Sequence, residues 1–243
     1  MNDHKLHDDG LCWGTWLASG SPIITEMAAT CGADWILLDM EHGYLTESEV
    51  LPNLMAAKGS AAAVIVRVPS HDPSLIGRLL DRGAQGIMVP HVNSEEEARQ
   101  LVAAFRYPPD GIRGYSRSTR AHAYGVNQKA VNDKPVFFAQ IESLQGVKNA
   151  SAIASVDGVD VLFVGPADLR QDLSSHPSAM TYEEAVSQVV STCRTHHKRA
   201  GIFLRDRQEA QSMASAGFSR IAVDSDLGIL RAAFTAQGSF SIL

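Results

Sequence analysis

Short apolar runs that read as strands alternate, eight times over, with stretches that read as helices. The runs fall at 14–18, 35–39, 61–67, 85–90, 135–142, 159–164, 201–204 and 219–223. Helix starts sit between them. Pro22 and Pro73 suit the first turn of a helix, where no amide hydrogen is needed. Thr46 with Glu49, Ser94 with Glu97 and Thr181 with Glu184 have the spacing of capping boxes. Further helices are expected after Ser143, over 206–216 and through Leu230 to about Ala236, and the helix from Thr181 is expected to reach about Lys198. Such alternation implies a parallel sheet, and eight units in 243 residues imply a closed (β/α)8 TIM barrel. An open, doubly wound sheet is the alternative, but the first strand-to-helix turn lacks a G-x-G-x-x-G phosphate loop. One barrel domain is therefore expected over 1–243, with residues 1–10 a polar N-terminal tail. The periodic pattern lapses between Tyr107 and about Asn127, and a loop of that length is usually functional or interfacial.

Composition narrows the partners. The formal net charge of −6 argues against general binding to nucleic acid or anionic membranes, while leaving small anions in a pocket open. Cys12, Cys31 and Cys193 are widely spaced, which fits reduced thiols better than a disulfide framework or a zinc site. The first ten residues have no signal-peptide apolar region, and no run approaches the roughly 18 apolar residues of a membrane span. A soluble, cytoplasmic protein is expected.

The polar residues gather at one end of the strands. Asp39, Glu41 and His42 follow the second, Arg67 ends the third, Gln140 and Glu142 end the fifth, and Gly165-Pro166-Ala167-Asp168 follows the sixth. The C-terminal ends of the strands are where such barrels carry their catalytic groups. Glu142 and Asp168 are hard oxygen ligands suited to Mg²⁺ or Mn²⁺ with open positions; the other reading makes one of them the ion-pair partner of Arg67. His42 after Asp39 fits a general base with an orienting carboxylate. Arg67 cannot be neutralised, so it needs an anion, either a substrate carboxylate or a developing enolate oxygen. The Gly165–Asp168 turn could present backbone N–H groups to a carboxylate. Arg113, Arg117 and Arg120 in the long loop read first as a solvated face or subunit contact and second as a clamp on substrate. His71, His91, His122, His176, His196 and His197 read as ordinary surface or rim histidines. None of Lys5, Lys58, Lys129, Lys134, Lys148 and Lys198 ends a strand, which argues against a Schiff-base lysine.

Taken in order, Asp39-Met-Glu41-His42, Val66-Arg67-Val-Pro69, Gly83-Ala-Gln-Gly86 with Val89-Pro90, Gly111-Ile-Arg-Gly114, Gln140-Ile-Glu142 and Gly165-Pro-Ala-Asp168-Leu resemble the motifs of the HpcH/HpaI aldolase family, the metal-dependent (class II) pyruvate aldolases. The resemblance implies a barrel of the phosphoenolpyruvate/pyruvate-domain type, commonly a hexamer (a trimer of dimers) with its last helix exchanged between partners. It implies cleavage of 4-hydroxy-2-oxo acids to pyruvate and an aldehyde, with a divalent cation (Mg²⁺, Mn²⁺ or Co²⁺) on Glu142 and Asp168. Arg67 would hold the pyruvate oxygen. His42, held by Asp39, would be the base, and Glu41 would support this cluster. Gln140 would sit beside the metal. The backbone of Gly165, Pro166, Ala167 and Asp168 would take the carboxylate, and Asp81 would reach a neighbouring subunit's site. Relatives of the same fold that join an acyl thioester to a 2-oxo acid supply the alternative chemistry. A barrel kept only as a binding module is a third reading, against which the full set of rim groups speaks. The segment after Asp168, Leu-Arg-Gln-Asp-Leu-Ser-Ser-His176, departs from the small glycine-containing turn usual in the family.

Overall fold

The computed structural model describes residues 5–126, 134–176 and 179–237. The first four residues of the expected tail, the end of the irregular stretch at Asn127, and Lys129 lie outside the described residues. Eight parallel strands pair in sequence order and close: β1 (Cys12–Leu17), β2 (Trp35–Asp39), β3 (Ala63–Arg67), β4 (Gly86–Val89), β5 (Val136–Ile141), β6 (Val161–Val164), β7 (Arg199–Leu204) and β8 (Phe218–Ser225). The helices are α1 (Pro22–Thr30), α2 (Glu47–Ala56), α3 (Pro73–Asp81), α4 (Glu95–Phe105), α5 (Leu144–Lys148), α6 (Ala150–Ser155), α7 (Pro166–Ser174), α8 (Tyr182–Thr195), α9 (Ala210–Ala216) and α10 (Asp226–Ala236). All three expected capping boxes form, at Thr46, Ser94 and Thr181.

Strand residues alternate between two apolar cores, as the period of two requires. One set packs outward under the helices, with Ile36, Leu38, Val64 and Val66 among it. The other fills the barrel, with Trp35, Leu37, Ala63, Ile65, Phe138 and Phe163. Gly14 on β1 is fixed by this filling, because a Cβ there would lie 2.2 Å from the indole of Trp35.

Three expectations need correction. The segment after β6 is not a loop but the nine-residue helix α7, opened by Pro166 at its first turn. The long helix α8 stops at Thr195, three residues short of Lys198, whereas α10 runs through Leu230 to Ala236 as expected. The described part of the N-terminal segment is not a free tail. It lies across the N-terminal end of the barrel, with a 3-10 turn at Lys5–His7 and Leu6 only 1% exposed. Arg220, an inward residue of β8 that is fully buried, holds it there. Its guanidinium donates to the carbonyls of Gly10 (2.7 Å), Leu6 (2.9 Å) and Asp8.

The β8–β1 seam is closed from above by Asp226, whose buried carboxylate accepts from the amides of Ala18 (2.9 Å) and Ser19 (3.0 Å). The 107–126 stretch is irregular apart from a 3-10 turn at Arg120–Gly125. Two of its arginines are structural rather than solvated. Arg113 is buried, ion-paired to Asp81 at 2.8 Å and stacked over Tyr107, while Arg120 donates to the carbonyls of Arg82 and Leu54.

Candidate active site

Asp39 and Arg67 end neighbouring strands in direct register, both on the inward row. Arg67 grips Asp39 through two parallel hydrogen bonds, Nε to Oδ1 at 2.9 Å and Nη2 to Oδ2 at 2.7 Å. The indole N–H of Trp16 adds a bond to Asp39 Oδ2 at 3.1 Å, and the same ring lies under the guanidinium, 4.8 Å away. Burial alone would raise the carboxyl of Asp39, but the hydrogen bonds and charge of Arg67 outweigh it and hold the group below the usual carboxylate range. Arg67 in turn stays charged despite burial because Asp39 and Glu41 face it. Its Nη1 lies 2.8 Å from Glu41 Oε2, a charge contact without hydrogen-bond alignment. The partner of Arg67 is therefore the Asp39/Glu41 pair, not Glu142 or Asp168.

His42 corrects the expected base–carboxylate pair. Asp39 Oδ1 accepts from the backbone amides of Glu41 (3.0 Å) and His42 (3.2 Å), shaping the turn, but it does not hold the imidazole. The carboxylate nearest the ring is Glu41, with Oε2 4.0 Å from His42 Nε2. The imidazole itself is 65% exposed and projects into the barrel mouth's cavity.

Two strands further round from Arg67, just past β5, Glu142 is buried and accepts from Gln140 Nε2 at 2.7 Å and from the backbone amide of His91 at 3.1 Å. Burial raises its carboxyl to about 7; His91 opposes that rise, and the charge of Asp168 adds to it. Gly165 makes room for this side chain, since a Cβ there would lie 2.2 Å from Glu142 Oε1. Asp168 enters from the first turn of α7. The expected carboxylate cradle is narrower than the four-residue turn. The Gly165 amide donates to Ile141 (3.3 Å) and Pro166 has none, which leaves Ala167 and Asp168 as first-turn amides without a backbone acceptor. Asp81 ends α3 at the other end of the barrel, on Arg113, so within one protomer it does not join the mouth.

Among the described residues no group of three or more His, Cys, Asp or Glu side chains is placed to hold a metal. A two-carboxylate site nonetheless fits a cation that keeps its other positions for oxygen ligands. Glu142 is a desolvated carboxylate beside a second one, and Gln140 Oε1 is buried beside it without a hydrogen-bond partner. A cation on Glu142 and Asp168 would offset both penalties.

Sequence reasoning passed over two residues here. Trp16 shows itself only as an inward residue at the end of β1. His91, just past β4, adopts a left-handed φ of 52° that sets its Nδ1 3.4 Å from Glu142 Oε2 and its Nε2 4.0 Å from Glu41 Oε1. Its place after Val89-Pro90, at another strand end, was the available signal.

Trp16, Asp39, His42, Arg67, Gln140, Glu142 and Asp168 line one cavity of about 1230 Å³ that takes in the barrel mouth and extends along α8 and α9. A parallel barrel whose mouth joins a locked guanidinium, an accessible imidazole and a desolvated carboxylate with a second one beside it has the layout of an enzyme that stabilises negative charge on a small anionic substrate. Comparison with known proteins narrows this class. The sequence profile of the HpcH/HpaI aldolase/citrate lyase family matches residues 13–233, and the chain belongs to that family. A 5-keto-4-deoxy-D-glucarate aldolase of Escherichia coli is 43% identical over 90% of this chain and 88% of its own. A family member of known structure from Burkholderia cenocepacia is 34% identical with a TM-score of 0.89, covering 98% of both chains. The citrate synthase SbnG is 26% identical with a TM-score of 0.82, covering 96% of this chain and 94% of its own. The protein is a carbon–carbon lyase of the aldolase type.

Proposed function

We propose that the chain cleaves a 4-hydroxy-2-oxo acid between C3 and C4, releasing pyruvate and an aldehyde, with Mg²⁺, Mn²⁺ or Co²⁺ held by Glu142 and Asp168. The observation that carries this reading is the placing of a locked Arg67 and the desolvated Glu142 in one mouth, at the ends of β3 and β5. When bound, the cation supplies Lewis-acid polarisation of the 2-oxo acid. The amides of Ala167 and Asp168 receive the substrate carboxylate at the positive end of α7. Arg67 faces the C2 oxygen, where negative charge grows as the C3–C4 electrons withdraw. His42 takes the C4 hydroxyl proton, Glu41 stabilises the imidazolium so formed, and C3 is then protonated to give pyruvate. Asp39 acts through Arg67 by fixing its plane, and Gln140 does the same for Glu142.

The relatives at 42–43% identity support a particular kind of substrate. Written from its keto end, 5-keto-4-deoxy-D-glucarate is a 2-oxo-3-deoxy-4-hydroxy acid with a second carboxylate at the far end. We assign this chain a dicarboxylic substrate of that kind. Pyruvate release from it is expected to stop with chelator and return with Mn²⁺, Mg²⁺ or Co²⁺; full turnover in chelator would remove the metal from the reading. Because Glu142 must lose a proton to bind a cation, Mn²⁺ affinity measured by calorimetry is expected to rise with pH toward about 7 and level off above it. The resemblance to SbnG supports the second reading, condensation with an acetyl thioester, which turnover of acetyl thioester without aldol cleavage would establish.

The assembly we propose is a homohexamer, a trimer of dimers, and its support is the outer face of α10. Ile229 (52% exposed) and Phe234 (59%) leave that helix largely uncovered, as Ile23 and Met27 leave α1. Light scattering is expected to report six chains per particle, and a monomer at micromolar concentration would refute this. No described helix is long and apolar enough to cross a membrane. The three free cysteines support placement in the cytoplasm, which cell fractionation checks.

A further inference from the structure

The inward row of β7 runs Gly201, Phe203 and then, one step past the strand's last residue, Arg205. On other strands the same row ends in Trp16, Asp39, Arg67 and Gln140, all in the mouth. Phe203 ties this sector to the site: its ring meets Trp16 edge-on at 5.2 Å, and Trp16 lies under Arg67. Arg205 lines the same cavity as His42, Arg67, Glu142 and Asp168.

It is exposed and makes no hydrogen bond or ion pair with any described residue. The cavity's other arginines are placed differently. Arg67 is committed to Asp39 and Glu41. Arg170 is stacked on Tyr182 at 3.7 Å, and the charges of Glu183 and Glu209 bear on the same tyrosine. Arg194 belongs to the last turn of α8, which runs back toward the far end of the barrel.

The pyruvate half of the substrate uses β3, β5 and the turn after β6, and His42 on the β2 side marks C4. The sector from β7 through β8 to β1 is left for everything beyond C4, and Arg205 is its uncommitted cation. We propose that Arg205 selects the substrate by receiving its distal carboxylate, the one the aldehyde product keeps. A guanidinium fork matches a carboxylate with two parallel hydrogen bonds and offers much less to a hydroxymethyl group in the same place. This assignment rests on the aldolase reading above.

Aldol addition to pyruvate with two aldehydes of equal length tests it. Tartronate semialdehyde carries the carboxylate, and glyceraldehyde carries a neutral hydroxymethyl group instead. Arg205→Met is expected to raise KM for tartronate semialdehyde about tenfold or more with kcat nearly kept, while kcat/KM for glyceraldehyde stays within about twofold. Arg205→Lys, which keeps the charge but not the fork, is expected to recover part of the loss. An equal effect on both aldehydes, or no effect on tartronate semialdehyde, overturns the assignment. Product from neither aldehyde with the wild-type chain is a different failure: it removes the aldolase reading and this assignment with it.

Discussion

Arg67→Met is expected to lower kcat by about a thousandfold or more, the largest activity loss of any single change at the mouth. Two effects add. The reaction loses the fixed cation that faces the charge growing on the C2 oxygen, and the site loses the group that keeps Asp39 ionised. Asp39 would then be a buried carboxylate without a counter-charge, a situation that typically costs about 3–5 kcal/mol, and the half-buried Glu41 would lose its nearest cation. The carboxyl of Asp39 would move up from its depressed range, because burial would go unopposed except by Trp16 and two backbone amides. Arg67→Lys keeps a charge but cannot make both bonds to Asp39, so it is expected to fall between the variant and the wild type. Steady-state kinetics with thermal melts on the same samples separate the two effects. A methionine variant that melts like the wild type and keeps a tenth of its kcat would remove Arg67 from the reaction.

Arg220→Met is expected to act in the opposite way, with a stability loss of about 3–5 kcal/mol and little change in kcat per folded molecule. Among the described residues the guanidinium has no carboxylate partner. It is held by the main-chain carbonyls of Lys5, Leu6, Asp8, Gly10 and Ser219, and burial pushes its pKa down. Methionine fills a similar volume and leaves those carbonyls without donors at the closed end of the barrel. The site lies at the other end, so turnover by the surviving native fraction should hold. Chemical denaturation reports the first quantity and active-site-normalised kinetics the second; an unchanged unfolding midpoint would show that the N-terminal segment is not held by Arg220.

The barrel was legible because both of its periods are local. Two-residue alternation and capping boxes lie within windows of a few residues, and all three capping boxes form. Helix α7 is hard to see in the sequence because Gly165-Pro166 reads as a turn, although proline at the first helical position is itself a start signal. The site was legible as far as strand ends show it. Asp39 and Arg67 both close their strands, and the Arg67–Asp39 pair could have been drawn from that register alone. Proximity in sequence misled instead: Asp39 and His42 are three residues apart, yet the carboxylate turns sideways to the next strand. His91 depends on a positive φ that no composition announces for a histidine. Arg220 was hidden because its partners are carbonyls rather than side chains.

The docking of the N-terminal segment has a consequence for how the chain is made. Gly10 and Arg220 are 210 positions apart, so this segment leaves the ribosome long before β8 emerges to seat it. At about 5–20 residues per second that wait is roughly 10–40 s. Leu6, Cys12 and the inward face of β1 stay without their final neighbours throughout it. The nascent chain thus carries unseated apolar groups while the rest of the barrel is made, and the floor of the barrel, though translated before the strand that holds it, is laid after it.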